Sequence, residues 1–209
     1  MCDDLPADPL SIQLRISREG LWWQIDGDPE QPERWAVTAV AETAAHEARH
    51  VADISLAIAA VRADHDLFDA TVLGGWALDF LADAVADPRD GTLVQELEER
   101  ISPGPPHLIV LRRIAIIESW RGHGLGAALL AGALCVFARY TRFAASHVSP
   151  TAFRAPGQDD LSAELAGLRV GRMLETIGFR RWRDVHILDL RNPSLLDVRN
   201  RLLDQWRNR

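Results

Sequence analysis

The sequence predicts an α/β (α+β) domain built on a mixed central sheet flanked by helices. From residue 108 onward, the spacing of apolar residues indicates a buried strand, a glycine loop, a helix, a strand, a helix and a strand. Before them, the short apolar segments 35–41 and 51–61 are typical of strands. The chain has 209 residues, 47% apolar and 25% charged, which suits one domain with a sizeable core.

In the first half, segment 51–61 also fits a helical spacing. We favour the strand because the neighbouring segments are extended. Glycine and proline clusters mark the loops. The expected elements are a disordered N-terminus over 1–10, a hairpin or one bent strand over 11–25, a loop over 26–34, a helix over 66–86 interrupted at Gly74 and Gly75, and a short helix over 92–101.

The second half begins with segment 108–117, which is dense in Leu, Ile and Val and is expected to be buried on both faces. Gly178 occupies the usual position for ending a helix. The predicted elements are a helix over 122–140, strands over 144–149 and 181–190, a helix over 161–177, and an amphipathic C-terminal helix over 193–209. Residues 11–192 would form one domain with 108–190 as its core.

Charge is distributed unevenly within an overall net charge of −7. Residues 1–104 carry a net charge of −14 and residues 105–209 a net charge of +7. A basic half can attract an anionic ligand, although an uneven solvated surface explains the asymmetry equally well. All 23 basic residues are arginine, which excludes lysine Schiff-base chemistry and a nucleotide-binding P-loop.

The N-terminus and the length of the apolar runs predict where the protein is located. The start is acidic and lacks the basic and apolar stretches of a signal peptide. No apolar run reaches the ~18 residues that a membrane span requires. Cys2 and Cys135 are expected to be free thiols. We therefore expect a cytoplasmic location and no membrane contact.

The most informative segment is the loop Arg121-Gly122-His123-Gly124-Leu125-Gly126. Glycines allow a tight turn and leave no side chain in the way of a ligand. The following helix offers unpaired N–H groups and the positive end of its dipole, which suits a pyrophosphate. A dinucleotide-binding loop would need Gly-x-Gly-x-x-Gly and a later acidic residue, and both are missing. A flexible strand-to-helix turn is the alternative without a ligand.

This segment resembles a family motif. Ile114-Ala115-Ile116-Ile117-Glu118-Ser119-Trp120-Arg121-Gly122-His123-Gly124-Leu125-Gly126 resembles the central motif of the GNAT N-acetyltransferases, Arg/Gln-x-x-Gly-x-Gly/Ala after a hydrophobic strand. Met173-Leu174-Glu175-Thr176-Ile177-Gly178-Phe179 resembles the later helix of that family, which ends in Gly-Phe. The resemblance covers about residues 108–190.

The resemblance implies a GNAT-like fold that binds acetyl-CoA, or another acyl-CoA, and transfers the acyl group to an amine. The backbone of Ile114 and Ile116 would pair with the pantetheine arm. Backbone N–H groups of the loop would hold the pyrophosphate, and the residues concerned are Arg121, Gly122, His123, Gly124, Leu125, Gly126 and Ala127. His123 is expected to point outward.

The catalytic residues are less well defined. The family often has a tyrosine where this chain has Leu174, and its only tyrosine, Tyr140, lies on another helix. Glu118 and Ser149 are the candidate catalytic residues, since each ends a predicted strand near the loop. His107, at the start of the central strand, is a weaker candidate. Solvated side chains or turn formers are the alternative interpretation of all three.

A second motif, His46-Glu47-Ala48-Arg49-His50, matches the zinc-peptidase pattern His-Glu-x-x-His. On a helix it would present two imidazoles with Glu47 as the base. The usual third ligand is absent, and Asp53, Asp64 and His65 match no known pattern. We favour a polar turn between two strands and expect no metal.

Three functions therefore remain: an acyl-CoA-dependent N-acyltransferase, a non-catalytic acyl-CoA-binding module, and a zinc peptidase. The sequence does not identify the acyl acceptor or the acyl chain. A pI near 5.5 argues against nucleic acid as a partner. The apolar stripe of the last helix must pack on its own domain or on a second copy in a homodimer.

Overall fold

The computed structural model describes residues 5–20, 32–42, 47–61, 84–87, 89, 92–148 and 160–207. Seven strands of this part form one mixed sheet in the order β1-β2-β3-β4-β5-β7-β6. Every neighbouring pair is antiparallel except β4 and β5, which are parallel. The strands are β1 Ile12–Glu19, β2 Glu33–Glu42, β3 Ala48–Ala60, β4 His107–Ile116, β5 Phe143–His147, β6 Arg180–Trp182 and β7 Val185–Asp189.

Four α-helices lie in the described residues: α1 Gln95–Glu98, α2 Leu125–Phe137, α3 Asp160–Ile177 and α4 Ser194–Arg207. Helix α2 consists mainly of Ala and Leu, which favour helix. It is apolar nearly all round because it lies between the sheet and the other two long helices. Short 3-10 turns form at Pro9–Ser11 and Glu118–Trp120.

The sheet has a core on each face. Helices α2, α3 and α4 cover one face, where buried side chains such as Leu130, Leu174 and Trp206 meet Ile54 and Ile109 of the sheet. On the other face, a second cluster joins the α1 region to the alternate side chains of β4, β5 and β7; it includes Leu97, Ile101, Val110, Phe143 and Ile187. The mixed sheet flanked by helices confirms the predicted fold class.

Most strands and long helices lie where the hydrophobic pattern predicts them, and the differences are local. The single strand predicted over 181–190 is a hairpin, because Arg183 adopts a positive φ of 49° in a two-residue turn. Helix does not extend over all of 92–101 but only over Gln95–Glu98. The helix predicted through residue 86 stops earlier, since Ala86 bridges Leu93. The rest of that segment lies outside the described residues, as do 21–31.

Both chain ends of the described part pack on the domain. Residues 5–10, expected to be disordered, are held in place because Leu5 and Ala7 contact the core and the Asp8 carboxylate accepts a hydrogen bond from the N–H of Leu10. At the other end, Leu195 and Trp206 of α4 are buried, and α4 packs mainly against α2. The C-terminal helix therefore covers its stripe with its own domain.

Candidate functional site

The sheet opens between β4 and β5. These strands pair only at three positions, with residues 108–110 opposite 143–145. Beyond this point, β5 continues along β7 as far as His147, while β4 continues along β3 as far as Ile116. The second half of β4 therefore has one strand edge without a partner strand in the described chain. The prediction that β4 is buried on both faces holds only for residues 108–111.

A β-bulge accompanies this opening. Ser55 of β3 pairs with Arg113, and the next residue, Leu56, pairs with Leu111, so Arg112 is the extra residue. A bulge bends the strand and increases its twist. Arg112 is half-buried with its Nε unpaired, and desolvation, followed by the charge of Arg34, lowers its pKa. The pairing of β4 with β5 ends at Val110, two residues before this bulge.

The open edge of β4 presents the backbone groups of Ile114 and Ile116. Ile117 donates its N–H to the Val51 carbonyl of β3 over 2.9 Å. Because successive residues of a strand turn their N–H and C=O groups to opposite sides, Ile114 and Ile116 turn theirs toward the opening. Their side chains pack on the core beneath the helices. This is the edge that the family resemblance assigns to a pantetheine arm.

The loop after β4 is anchored by Trp120 and shaped by two glycines. The indole of Trp120 is 1% exposed, and its backbone N–H bonds to the Ile117 carbonyl. Gly122 and Gly124 have φ angles of 82° and 78°, in the left-handed region that other residues adopt at a cost of about 1–2 kcal/mol. Both glycines are exposed. The sequence prediction of a glycine-dependent turn is confirmed at these two positions.

Helix α2 begins at this loop without a capping side chain. Gly124 is the N-cap, and the first turn contains no acidic residue. The N–H groups of residues 125–127 consequently lack both helical partners and a side-chain cap. They lie at the positive end of the helix dipole, which favours an anion.

Arg121 takes a different position from the one predicted. Its backbone N–H is already bonded to the Glu118 carbonyl at 3.1 Å. Its Nε donates to the Ile116 carbonyl at 2.8 Å, so the side chain lies across the end of the open β4 edge. Any contribution of Arg121 to anion binding therefore comes from its guanidinium rather than its amide.

Gly126 also differs from the other glycines of the loop. It lies inside α2, and a β-carbon at this position would come within 3.0 Å of the Met173 sulfur and 3.7 Å of the Ile116 side chain. Its small size thus permits close packing of α2 against α3. It does not shape the turn, which corrects the sequence-based interpretation of all three glycines as turn formers.

The C-terminal helix reaches the same loop, which the sequence did not predict. A β-carbon at position 124 would lie 3.5 Å from the Gln205 side-chain nitrogen and 3.7 Å from its oxygen. Trp206, the next residue, is buried in the core and holds this end of α4 in place. Gln205 therefore borders the uncapped start of α2 from a position about 80 residues later in the chain.

The candidate catalytic residues do not all meet at this site. Glu118 does, since it is exposed in the 3-10 turn that directly follows β4. Ser149 lies outside the described residues. Ala127, predicted as a backbone donor rather than a catalytic residue, is buried in the first turn of α2. His107 begins β4 and is therefore at the opposite end of the strand from the loop.

Neither Leu174, at the position of the tyrosine in the resembled motif, nor Tyr140 is placed to act as a proton donor at the loop. Leu174 is fully buried against the sheet and contributes to the main core. Tyr140 is 69% exposed just beyond the far end of α2, roughly 20 Å from the helix start at 1.5 Å per residue. Neither position supplies a proton donor to the glycine loop.

Two histidines near the opening were missed by the sequence analysis. His147 is the last residue of β5, and parallel pairing places this end of β5 at the same side as the end of β4. His186, on β7 opposite Ser146, has a buried Nδ1 without a hydrogen-bond partner. Desolvation lowers the pKa of His186; the charge of Glu175 opposes this effect, while Arg181 and His147 add to it. His147 could have been predicted by recognising that β4 and β5 are parallel, because the carboxyl ends of parallel strands lie at the same edge of a sheet.

The zinc-peptidase pattern does not form a helix where it is described. Residues 48–50 begin β3, and the His50 Nε2 lies 2.9 Å from the Asp53 carboxylate. His46 lies outside the described residues. Across the described ranges, no group of three or more His, Cys, Asp or Glu side chains could hold a metal ion. An extended backbone does not place the imidazoles as the motif requires.

Comparisons with known proteins leave the chain without an assigned family. No protein-family model and no curated protein matches it. Among solved structures, the chain is similar to a point mutant of KacT, with 13% identity and a TM-score of 0.39, over 82% of this chain and 77% of that one. A likeness at this level identifies neither fold nor function. None of the described helices has the length and apolar character needed to cross a bilayer.

Proposed function

We propose that this protein has a GNAT-like fold, binds an acyl-CoA and transfers its acyl group to an amine. The observation that carries the proposal is the junction of two features at one place. The edge of β4 at Ile114 and Ile116, which has no partner strand in the described chain, leads directly into an uncapped helix start behind Gly122 and Gly124. The Arg121 side chain would have to release the Ile116 carbonyl for a ligand to use it.

These two features suit the two parts of coenzyme A. An extended pantetheine amide chain can pair with strand-edge N–H and C=O groups as an added strand would. The pyrophosphate then falls at the start of α2, where several N–H groups can donate to it. Each hydrogen bond to a charged group contributes about 1.5–3 kcal/mol. Arg121 adds a positive charge at the boundary of the two parts.

The chemistry follows from holding the thioester in the opening. The amine nitrogen attacks the thioester carbon, a C–N bond forms, the C–S bond breaks, and the thiolate leaves. Positioning the two reactants supplies much of the rate. The amine must lose a proton, and Glu118 and His147 are the titratable side chains that we assign to this step because they end β4 and β5. In the absence of a tyrosine at position 174, solvent protonates the thiolate.

Buried Leu174 favours one alternative, a module that binds acyl-CoA without catalysis. Both functions use the same binding site and differ only in turnover. Release of free thiol from acetyl-CoA in the presence of pooled amines would establish the enzyme. Loss of release in Glu118→Gln or His147→Gln, with acetyl-CoA affinity retained, would assign the base.

The binding site itself is tested by titrating acetyl-CoA into variants. Gly124→Glu places bulk and a negative charge at the helix start, so we expect binding to be abolished while the circular dichroism spectrum stays native. Arg121→Ala should weaken binding about tenfold, because main-chain donors remain. Gly126→Ala is the matched control for a side chain added elsewhere in the loop. The resembled motif accepts alanine there and the new methyl group meets Met173, so acetyl-CoA binding should be retained.

The ranking of these variants decides the mechanism. If Gly124→Glu bound acetyl-CoA as tightly as the wild type, the loop assignment would be wrong. If Arg121→Ala were the weaker binder in a well-folded protein, side-chain charge rather than the backbone would hold the cofactor. One zinc per purified chain, removed by His46→Ala, would instead support the peptidase.

A further inference from the structure

A cavity of about 490 Å³ lies between the amino end of β4 and the far end of α2. Its strand residues share one face of the sheet, since Glu33 is paired with Ile58, and Ala60 with His107. Ile58 packs on the core beneath α2, so this is the face that the helices cover. The remaining lining residues are Ile16, Trp35, Val136, Phe137 and Tyr140.

The cavity is distant from the glycine loop. Strand β4 begins at His107, beside the cavity, and ends at Ile116, next to the loop. Helix α2 begins at the loop and ends at Phe137, and at 1.5 Å per residue it separates the two sites by about 20 Å. The cavity is therefore separate from the proposed acyl-CoA site.

Two aromatic rings of the lining are held in place. Trp35 and Phe137 meet edge to face, with their ring centres 5.3 Å apart. The Trp35 indole N–H also donates to Oε2 of Glu33 at 3.0 Å, and Phe137 is buried. A wall whose rings are already ordered loses little freedom when a ligand binds to it.

Two further lining residues are exposed. Val136 is 50% exposed and Tyr140 is 69% exposed, so the described chain leaves much of their apolar surface in contact with water. Covering that surface with a ligand is favourable because apolar groups leave water. The Tyr140 hydroxyl can donate or accept one hydrogen bond to a polar group of the ligand.

The carboxylate of the cavity is paired. Glu33 is the only acidic residue among the described lining residues, and no arginine is among them. Its Oε1 accepts a hydrogen bond from Nη1 of Arg18 at 3.0 Å, and its Oε2 accepts from the Trp35 indole. A cation therefore finds no unpaired carboxylate in this lining, and an anion would be repelled by Glu33.

We propose that this cavity binds an uncharged, planar aromatic molecule that carries one hydrogen-bonding group. Aromatic rings favour offset-stacked or edge-to-face contacts with one another, and three aromatic side chains line the cavity. Its volume lies in the range of small-molecule sites. This inference does not depend on acyl-CoA binding at the glycine loop.

The test is isothermal titration of the full chain at pH 8, where histidine is ordinarily uncharged. The ligands are 2-naphthol, 2-naphthoate and 2-naphthylmethylammonium, which share a ring system and differ in charge. We expect one site per chain for 2-naphthol and at least about tenfold weaker binding of both ions, because burying a charge without a partner is unfavourable. Binding of either ion as tightly as 2-naphthol would overturn the ligand class.

Substitutions of exposed residues locate the ligand without disturbing the core. Tyr140→Ala removes an aromatic wall and should weaken 2-naphthol about tenfold, whereas Tyr140→Phe keeps the ring and should weaken it less. Leu168→Ala is the matched control, since it removes a similarly exposed apolar side chain of α3 outside the cavity and should leave affinity unchanged. Gly124→Glu should also leave 2-naphthol affinity unchanged, even though acetyl-CoA binding is lost.

Three other results would overturn the proposal. The first is absence of 2-naphthol binding to the wild type, or an equal loss of affinity in Leu168→Ala and Tyr140→Ala. The second is displacement of 2-naphthol by CoA, which would place the ligand at the glycine loop. The third is a wild type that sediments as a dimer and a Tyr140→Ala variant that sediments as a monomer, which would make the cavity an interface between two copies.

Discussion

The two ends of the β4–β5 pair differ in how their polar groups are satisfied. At the amino end, the strands are hydrogen-bonded, and Arg142, 8% exposed, bonds to the Glu98 carboxylate and to the carbonyls of Ser102 and Ile101. At the carboxyl end, the strands separate, Gly124 leaves the next helix uncapped, and Ile114 turns backbone groups toward an opening.

This difference suggests that the two ends of the β4–β5 pair serve different purposes, one stability and the other ligand binding. Paired and buried polar groups stabilise the native state, whereas incompletely satisfied groups on a rigid frame are available to a ligand. The amino end should therefore control the free energy of unfolding, and the carboxyl end should control affinity for acyl-CoA. Substitutions at each end can test this division.

The largest effect on stability is expected from Arg142→Met. The methionine keeps the aliphatic volume but removes every donor, which leaves the carbonyls of Ser102 and Ile101 unpaired. We expect a loss of about 3 kcal/mol in the free energy of unfolding, measured by urea denaturation. Acetyl-CoA affinity of the folded protein should not change. A parallel drop in affinity would show that the two ends are coupled.

Glu98→Gln serves as the control for that prediction. The amide oxygen still accepts a hydrogen bond from Arg142, and the Glu98 side chain is half-exposed. The loss should be smaller, about 1 kcal/mol. A loss as large as that of Arg142→Met would assign the stability to the ion pair rather than to the carbonyl contacts.

An intermediate effect, on binding alone, is expected from Gln205→Glu. The substitution places a carboxylate beside Gly124, where the side-chain amide now lies. Repulsion of the pyrophosphate should weaken acetyl-CoA about tenfold, or about 1.4 kcal/mol, in a titration at low salt. Gln205→Ala should change affinity much less. Equal effects of both substitutions would indicate that the amide itself contacts the ligand.

The smallest effect concerns the pH dependence of stability near β7. Burial lowers the pKa of His186 below its ordinary value of 6.5, so the unfolded chain binds this proton more readily. Stability from this group is therefore full above pH 6.5 and falls as the pH drops toward the lower folded pKa. His186→Gln should flatten that part of the curve in urea denaturations between pH 8 and about pH 5. An unchanged slope would contradict the assignment.

The features that depend only on neighbouring residues could be predicted from the sequence. A positive φ favours glycine wherever it occurs, and an uncapped helix start follows directly from the residues around it. The turn at Gly122 and Gly124 and the helix after it could therefore be predicted. Strand β4 and helix α3 were predicted for a similar reason, since their apolar spacing is local.

Which distant residues meet at the site depends instead on contacts between separate strands and helices. The bulge at Arg112 and the separation of β4 from β5 depend on strand register, which the strand's own sequence does not encode. His147 was missed because its place follows from parallel pairing with β4. Gln205 was missed because α4 reaches the loop by packing Trp206 into the core. Register and helix packing are set by contacts between residues far apart in the chain, where burial of the whole core, rather than local conformational preference, selects the arrangement.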